Sequence, residues 1–154
     1  MPSTEIARYF NPFWLTTYVL ILYTIGHTWG ALLSTPQSGA GSDAVLSSMR
    51  TVHFDVEGFD RSWYGFYFGF GLMDSIFFLF SAFVTWFLGG LDPQQQRALT
   101  SLTGALFITH LAGVVLVWSY FFTVPGIFQT AVAALLGFAW FKSMRSALPP
   151  PARP

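Results

Sequence analysis

The sequence predicts an all-α fold, an integral membrane four-helix bundle with both termini on the cytoplasmic side. Three observations carry that expectation. Of 154 residues, 53% are hydrophobic and only 9% charged, whereas a soluble domain is about a quarter charged. Four apolar stretches run to about the length, roughly 20 residues, at which a helix crosses a bilayer. The 18 phenylalanines and 6 tryptophans supply the apolar bulk and interfacial rings of lipid-facing helices. Length predicts a single domain over residues 1–154. The same composition excludes an intrinsically disordered chain, a disulfide scaffold and a strongly basic nucleic-acid binder. With no cysteine, thiolate metal sites, iron–sulfur clusters, covalent c-type haem and cysteine nucleophiles are excluded as well.

The spans are expected at about 13–33, 64–88, 98–121 and 124–142. Lipid offers no partner to an exposed backbone amide, so each must be helical. Helices of a soluble bundle would carry a polar stripe, and these do not. The first span has no Asp, Glu, Lys or Arg. Its apolar run is too long for a signal peptide and lacks a small-x-small cleavage site, so an uncleaved helix is expected. In Leu91-Asp92-Pro93-Gln94-Gln95, Asp92 is a natural N-cap, Pro93 suits the first helical position, and Gln95 can close a capping box. A short turn at Thr123-Val124-Pro125-Gly126 makes the last two spans antiparallel neighbours. Trp14, Trp63, Trp86, Trp118 and Trp140 fall near span ends, where interfacial rings belong.

Basic residues set the orientation. Arg8, Arg97, Lys142, Arg145 and Arg153 share the side of the termini, while the loop at 34–63 holds only Arg50 and Arg61 against four acids. Within that external loop, a Gly/Ser/Pro-rich piece from Ser34 to Ser42 precedes a more structured part. A short helix is expected after Ser42 or Asp43, then an extended piece ending near Gly58. Met49, Val52, His53, Phe54 and Val56 are available to pack onto the bundle mouth. Residues 146–154 form a proline-rich, flexible tail. No internal repeat is visible, which argues against an inverted-repeat transporter.

Ionisable residues inside a span are costly, and His27, Asp74 and His110 are the ones present. Counted from the cytoplasmic span ends, all three lie about 18–21 Å deep on three different helices. A site on these three residues is therefore expected. Tyr23 and Thr24 share the face of His27; Tyr67, Phe70 and Phe77 share that of Asp74. Arg61, at the start of the second span, either pairs with Asp60, Glu57 or a lipid phosphate or closes over the pocket. Gly65 and Gly69 form a small-xxx-small face that permits close helix approach and would serve a homo-oligomer.

His27-Thr28-Trp29-Gly30, the Met49-Arg50 pair, and Gly58-Phe59-Asp60-Arg61-Ser62-Trp63-Tyr64-Gly65-Phe66-Tyr67 leading into Gly69-Phe70-Gly71-Leu72 together resemble a family of small four-helix membrane proteins of bacteria and some fungi. The resemblance covers the first half of the chain and implies fold and location, not activity. The four-helix plan is more loosely similar to DoxX-like proteins and to the sterol-isomerase and sigma-2 receptor group, in architecture alone.

Three functions fit these residues. One is acid–base chemistry of isomerase or cyclase type on a lipophilic small molecule, without cofactor or metal. Asp74 would be the acid, His27 or His110 the base, and Tyr23, Thr24, Tyr67, Phe70, Phe77 and Arg61 would hold the substrate. Another is a non-catalytic binding or assembly protein using the same pocket. The third places haem b between His27 and His110, or a metal ion on both histidines and Asp74. A lipophilic molecule and membrane lipid are the expected partners, and nucleic acid is not. The expected location is a bacterial inner membrane, or the endoplasmic reticulum in a eukaryote.

Overall fold

The computed structural model describes residues 11–34 and 39–145. The expectations for Arg8, Arg153, the 146–154 tail and residues 35–38 of the external loop lie outside them. Helix α1 runs from Pro12 to His27. Pro12 suits a first helical position, and the Asn11 Oδ1 caps the turn by accepting from the Phe13 amide at 3.0 Å. At Thr28–Leu33 the chain continues as a π-helical turn, closed by the Ser34 amide donating to the Trp29 carbonyl five residues back, at 2.8 Å.

Helix α2, Ala40–Thr51, carries Asp43 in its first turn and Arg50 in its last, both complementary to the helix dipole. The extended piece expected after it is instead an antiparallel hairpin of β1, His53–Val56, and β2, Phe59–Ser62. The reversal falls at Glu57 (φ 55°) and Gly58 (φ 82°). Two successive positive φ angles are what a two-residue turn needs to match the strand twist. Asp55 Oδ1 accepts from the Gly58 amide at 3.2 Å and steadies the turn.

Helix α3, Trp63–Gly90, is 28 residues long. Ser62 caps it, its Oγ accepting from the Gly65 amide at 3.0 Å. Helix α4, Pro93–Ala98, begins on the expected capping box: the Asp92 carboxylate accepts from the Gln94 and Gln95 amides, and the Gln95 side chain accepts from the Asp92 amide. This short helix does not run on into the next. Leu99 leaves helical geometry (φ −102°, ψ 20°), and α5 runs separately from Thr100 to Tyr120. Helix α6 runs from Thr123 to Arg145, so the expected turn at Thr123–Gly126 is its first turn. Pro125 is tolerated because a first turn leaves its amides unbonded in any case.

Among the described residues the fold is all-α apart from one hairpin. Helices α3, α5 and α6 are long and apolar enough to cross a membrane, which marks a membrane protein. The α-helical part of the first expected span is 16 residues, lengthened by the 6-residue π turn.

The described residues divide into two compact units, one of residues up to Tyr23 together with those from Leu79 onward, the other of those between Thr24 and Phe78. In the first unit α5 and α6 are antiparallel and interlock by rings and an amide seated over glycines. Trp140 lies on Gly104, Phe107 on Gly137, Gln129 on Gly113 and Trp118 on Gly126. The Trp118 Nε1 also donates to Thr130 Oγ1 at 3.0 Å. The first half of α1 packs on the end of α3 through hydroxyls: Thr17 Oγ1 and Thr85 Oγ1 are 2.9 Å apart, both side chains buried. In this unit Asn11 Nδ2 donates to the Gly89 carbonyl at 3.0 Å, and Trp14 lies on Gly89.

In the second unit a run of rings, Phe54, Trp63, Phe66 and Phe70, ties the hairpin to the start of α3, with successive centroids 4.6, 6.4 and 4.7 Å apart. Of the five residues expected to pack onto the bundle mouth, Phe54 packs on the start of α3 through these rings. His53, Val52 and Val56 are exposed and Met49, on α2, is half-buried.

Candidate functional site

Gly71 is the centre of the seam that holds His27. A β-carbon at Gly71 would collide with the buried Leu32 side chain, which the π turn delivers there. The Gly71 carbonyl receives two side chains: His27 Nε2 at 3.1 Å and the Ser75 Oγ at 3.2 Å. A carbonyl only accepts, so Nε2 is the donor, which leaves Nδ1 as the nitrogen able to hold a lone pair. Thr28 Oγ1 and Ser75 Oγ lie 2.9 Å apart. The imidazole also meets Phe78 edge-on, with centroids 5.8 Å apart. Gly71→Ala is expected to destabilise the protein. Overpacking against Leu32 costs about 1–3 kcal/mol, against a gain of about 1 kcal/mol in helix propensity. Denaturant unfolding in detergent measures the net loss, and Leu32→Val in the same chain should restore part of it.

Asp74 lies outside this seam. Its neighbour Ser75 is buried, whereas Asp74 is exposed, one helical step of about 100° away. Among the described residues nothing hydrogen-bonds or ion-pairs with its carboxylate, and His27 is bound to Gly71 instead. Along the same face of α3 stand Tyr67 (47% exposed), Phe70 (55% exposed) and the half-buried Phe77. The structure thus brings Asp74, Tyr67, Phe70 and Phe77 onto one stripe at the expected spacing. Among the described residues, a β-carbon at Gly65 of the small-residue pair would touch only Ser62 Oγ, and one at Gly69 nothing within 4 Å.

Arg61 is turned back over the hairpin. It donates to the Asp60 carbonyl at 2.8 Å and lies 5.2 Å from the Phe59 ring. The Asp60 carboxylate goes to His53 Nδ1 at 2.9 Å rather than to Arg61. Thr24 is buried in this unit.

In the other unit His110 is fully buried between α5 and α6. Gln129 Nε2 donates to its Nδ1 at 3.1 Å and to its backbone carbonyl at 3.0 Å. Gly113 leaves room for that amide. Tyr23, only 6% exposed, stacks on Phe128 with centroids 5.3 Å apart. Sequence reasoning missed Gln129. The available signal was an amide inside the uncharged run Ile127-Phe128-Gln129-Thr130-Ala131, which a search confined to ionisable residues passes over. Among the described residues no group of three or more His, Asp or Glu side chains stands together as a metal site.

The fold and these polar groups define a membrane protein of all-α class with polar side chains set within apolar helices. Comparison with protein-family models, curated proteins and solved structures returned no match.

Proposed function

We propose that this chain is a multi-pass membrane protein, with α1 and its π turn as the fourth span and both termini cytoplasmic, that binds a lipophilic small molecule on the Asp74 face of α3. The observation that supports this reading is the exposed Asp74 carboxylate, without a partner among the described residues and flanked by Tyr67, Phe70 and Phe77 on a 28-residue apolar helix. An aspartate at the centre of a span costs about 2.5–3.5 kcal/mol on insertion scales. A ligand with an apolar body and a hydrogen-bond donor or positive charge would cover the rings and satisfy the carboxylate together. Retained ligand tests this. Gently solubilised protein should release a lipophilic compound detectable by mass spectrometry. Asp74→Asn should retain about 10–150-fold less, the effect of a charged hydrogen bond worth about 1.5–3 kcal/mol. Equal retention by both proteins, or none by either, overturns the proposal.

A second reading is proton transfer of isomerase or cyclase type on the same molecule. It draws support from His27, whose Nδ1 lone pair is left to act as a base once Nε2 is committed to Gly71. His27→Gln should then abolish turnover of the retained compound while leaving its binding intact. The haem reading has its own test in the same sample, a Soret band lost on substitution of His27 or His110.

A further inference from the structure

The apolar face of α2 borders an open groove of about 350 Å³ lined by Ala44, Val45, Ser48, Met49, Val52 and Trp63. Val45 on α2 and Val52 at its C-cap are 60% and 50% exposed. At 3.6 residues per turn these positions share one side of α2, and the exposed Asp43, Ser47 and Arg50 share the other. Trp63 is the only one of the six outside the α2 region, and it is the first residue of α3, the longest helix able to cross a membrane. The groove therefore opens at the N-terminal end of α3.

The helix is also held in that orientation. The Trp63 amide donates to the Val52 carbonyl at 3.3 Å. Phe54 packs on Trp63 with centroids 4.6 Å apart. The Arg50 guanidinium lies 4.7 Å from the Tyr64 ring, tying the polar side of α2 to the start of α3. A rotation that buried Val45 and Val52 in protein would break these contacts.

We infer that α2 is an interfacial helix whose Val45, Met49 and Val52 face, with Trp63, seats in the headgroup–acyl boundary of the bilayer that α3 enters. Lipid acyl chains are the occupant of the groove, and Asp43, Ser47 and Arg50 face water. Segregated faces with low net hydrophobicity are the pattern of helices that lie in that boundary rather than cross it. The seat on the membrane fixes the height of the hairpin and of the mouth that leads to the α3 face below.

The chain has no cysteine, so a single introduced cysteine is the only labelling site in the full-length protein. Because α2 has no buried residue, such substitutions there leave the core untouched. Nitroxides at Val45→Cys, Val52→Cys, Asp43→Cys and Ser47→Cys are compared in phosphatidylcholine vesicles, with Ile76→Cys on α3 as the control for the span. The labels at Val45 and Val52 should lie about 5–10 Å below the headgroup surface, favouring collision with oxygen over a water-soluble nickel chelate. Those at Asp43 and Ser47 should show the reverse. Water-exposed labels at Val45 and Val52 beside a lipid-buried label at Ile76 overturn the inference alone. A water-exposed label at Ile76 overturns the membrane span of α3 with it.

Discussion

Asp74→Leu should insert α3 into a bilayer more readily than the native sequence while abolishing ligand retention. At the centre of a span Asp contributes about +2.5–3.5 kcal/mol and Leu about −0.3 to −0.6 kcal/mol, a difference of about 3–4 kcal/mol. Nothing in the described chain offsets that cost, because the carboxylate is exposed and meets no hydrogen-bond or ion-pair partner there. The substitution removes no packing contact from the seam around Gly71, which runs through Ser75 and Phe78 instead. Insertion is read from a glycosylation reporter fused to the α3 segment, and retention from mass spectrometry of the full-length protein. A variant that inserts no better means that the native environment already compensates Asp74. One that retains ligand as the wild type does removes Asp74 from the binding face.

The second large effect is expected at His110. His110→Leu leaves the buried Gln129 amide, which donates to both the imidazole and the backbone carbonyl, without its side-chain partner inside α5–α6. Stranding a buried polar group costs about 1–3 kcal/mol. Replacing both partners with apolar residues is far milder, so His110→Leu/Gln129→Leu should recover most of the loss. In membrane interiors such pairs average nearer 0.6 kcal/mol, and a small coupling would place His110 and Gln129 with that weaker class. The cycle is measured by unfolding in mixed micelles. If the two single losses simply add, the amide and the imidazole contribute independently.

What could be read in the sequence was local. The capping box at Asp92 and Gln95 needs only four consecutive residues, and the apolar length of α3, α5 and α6 is set by the chain itself. The hairpin was hidden because Glu57 takes a positive φ, and nothing in that side chain advertises a turn as Asn would. The break at Leu99 was hidden because a helix can continue through a leucine on any local criterion. At the candidate site, residue counting gives height along a helix but not direction around it. His27 and Asp74 have similar heights, yet one step of rotation separates the seam residue Ser75 from the exposed Asp74. Tyr67, Phe70 and Phe77 were legible as companions of Asp74 because that relation lies within a single helix. Gln129 was not, since its importance arises from the notch that Gly113 opens in a different helix.

The rings and glycines between α5 and α6 also act on the sequence of events by which the chain is assembled. Trp140 on Gly104, Phe107 on Gly137, Gln129 on Gly113 and Trp118 on Gly126 alternate, level by level, which helix supplies the bulk and which the notch. If α6 slid by one turn along α5, Trp140 would meet Thr100 or Ile108 in place of Gly104, and a large ring would face a side chain at each level. Because the two helices follow one another with only Phe121 and Phe122 between them, this hairpin can find its one allowed register as soon as α6 leaves the ribosome, before any earlier helix must dock.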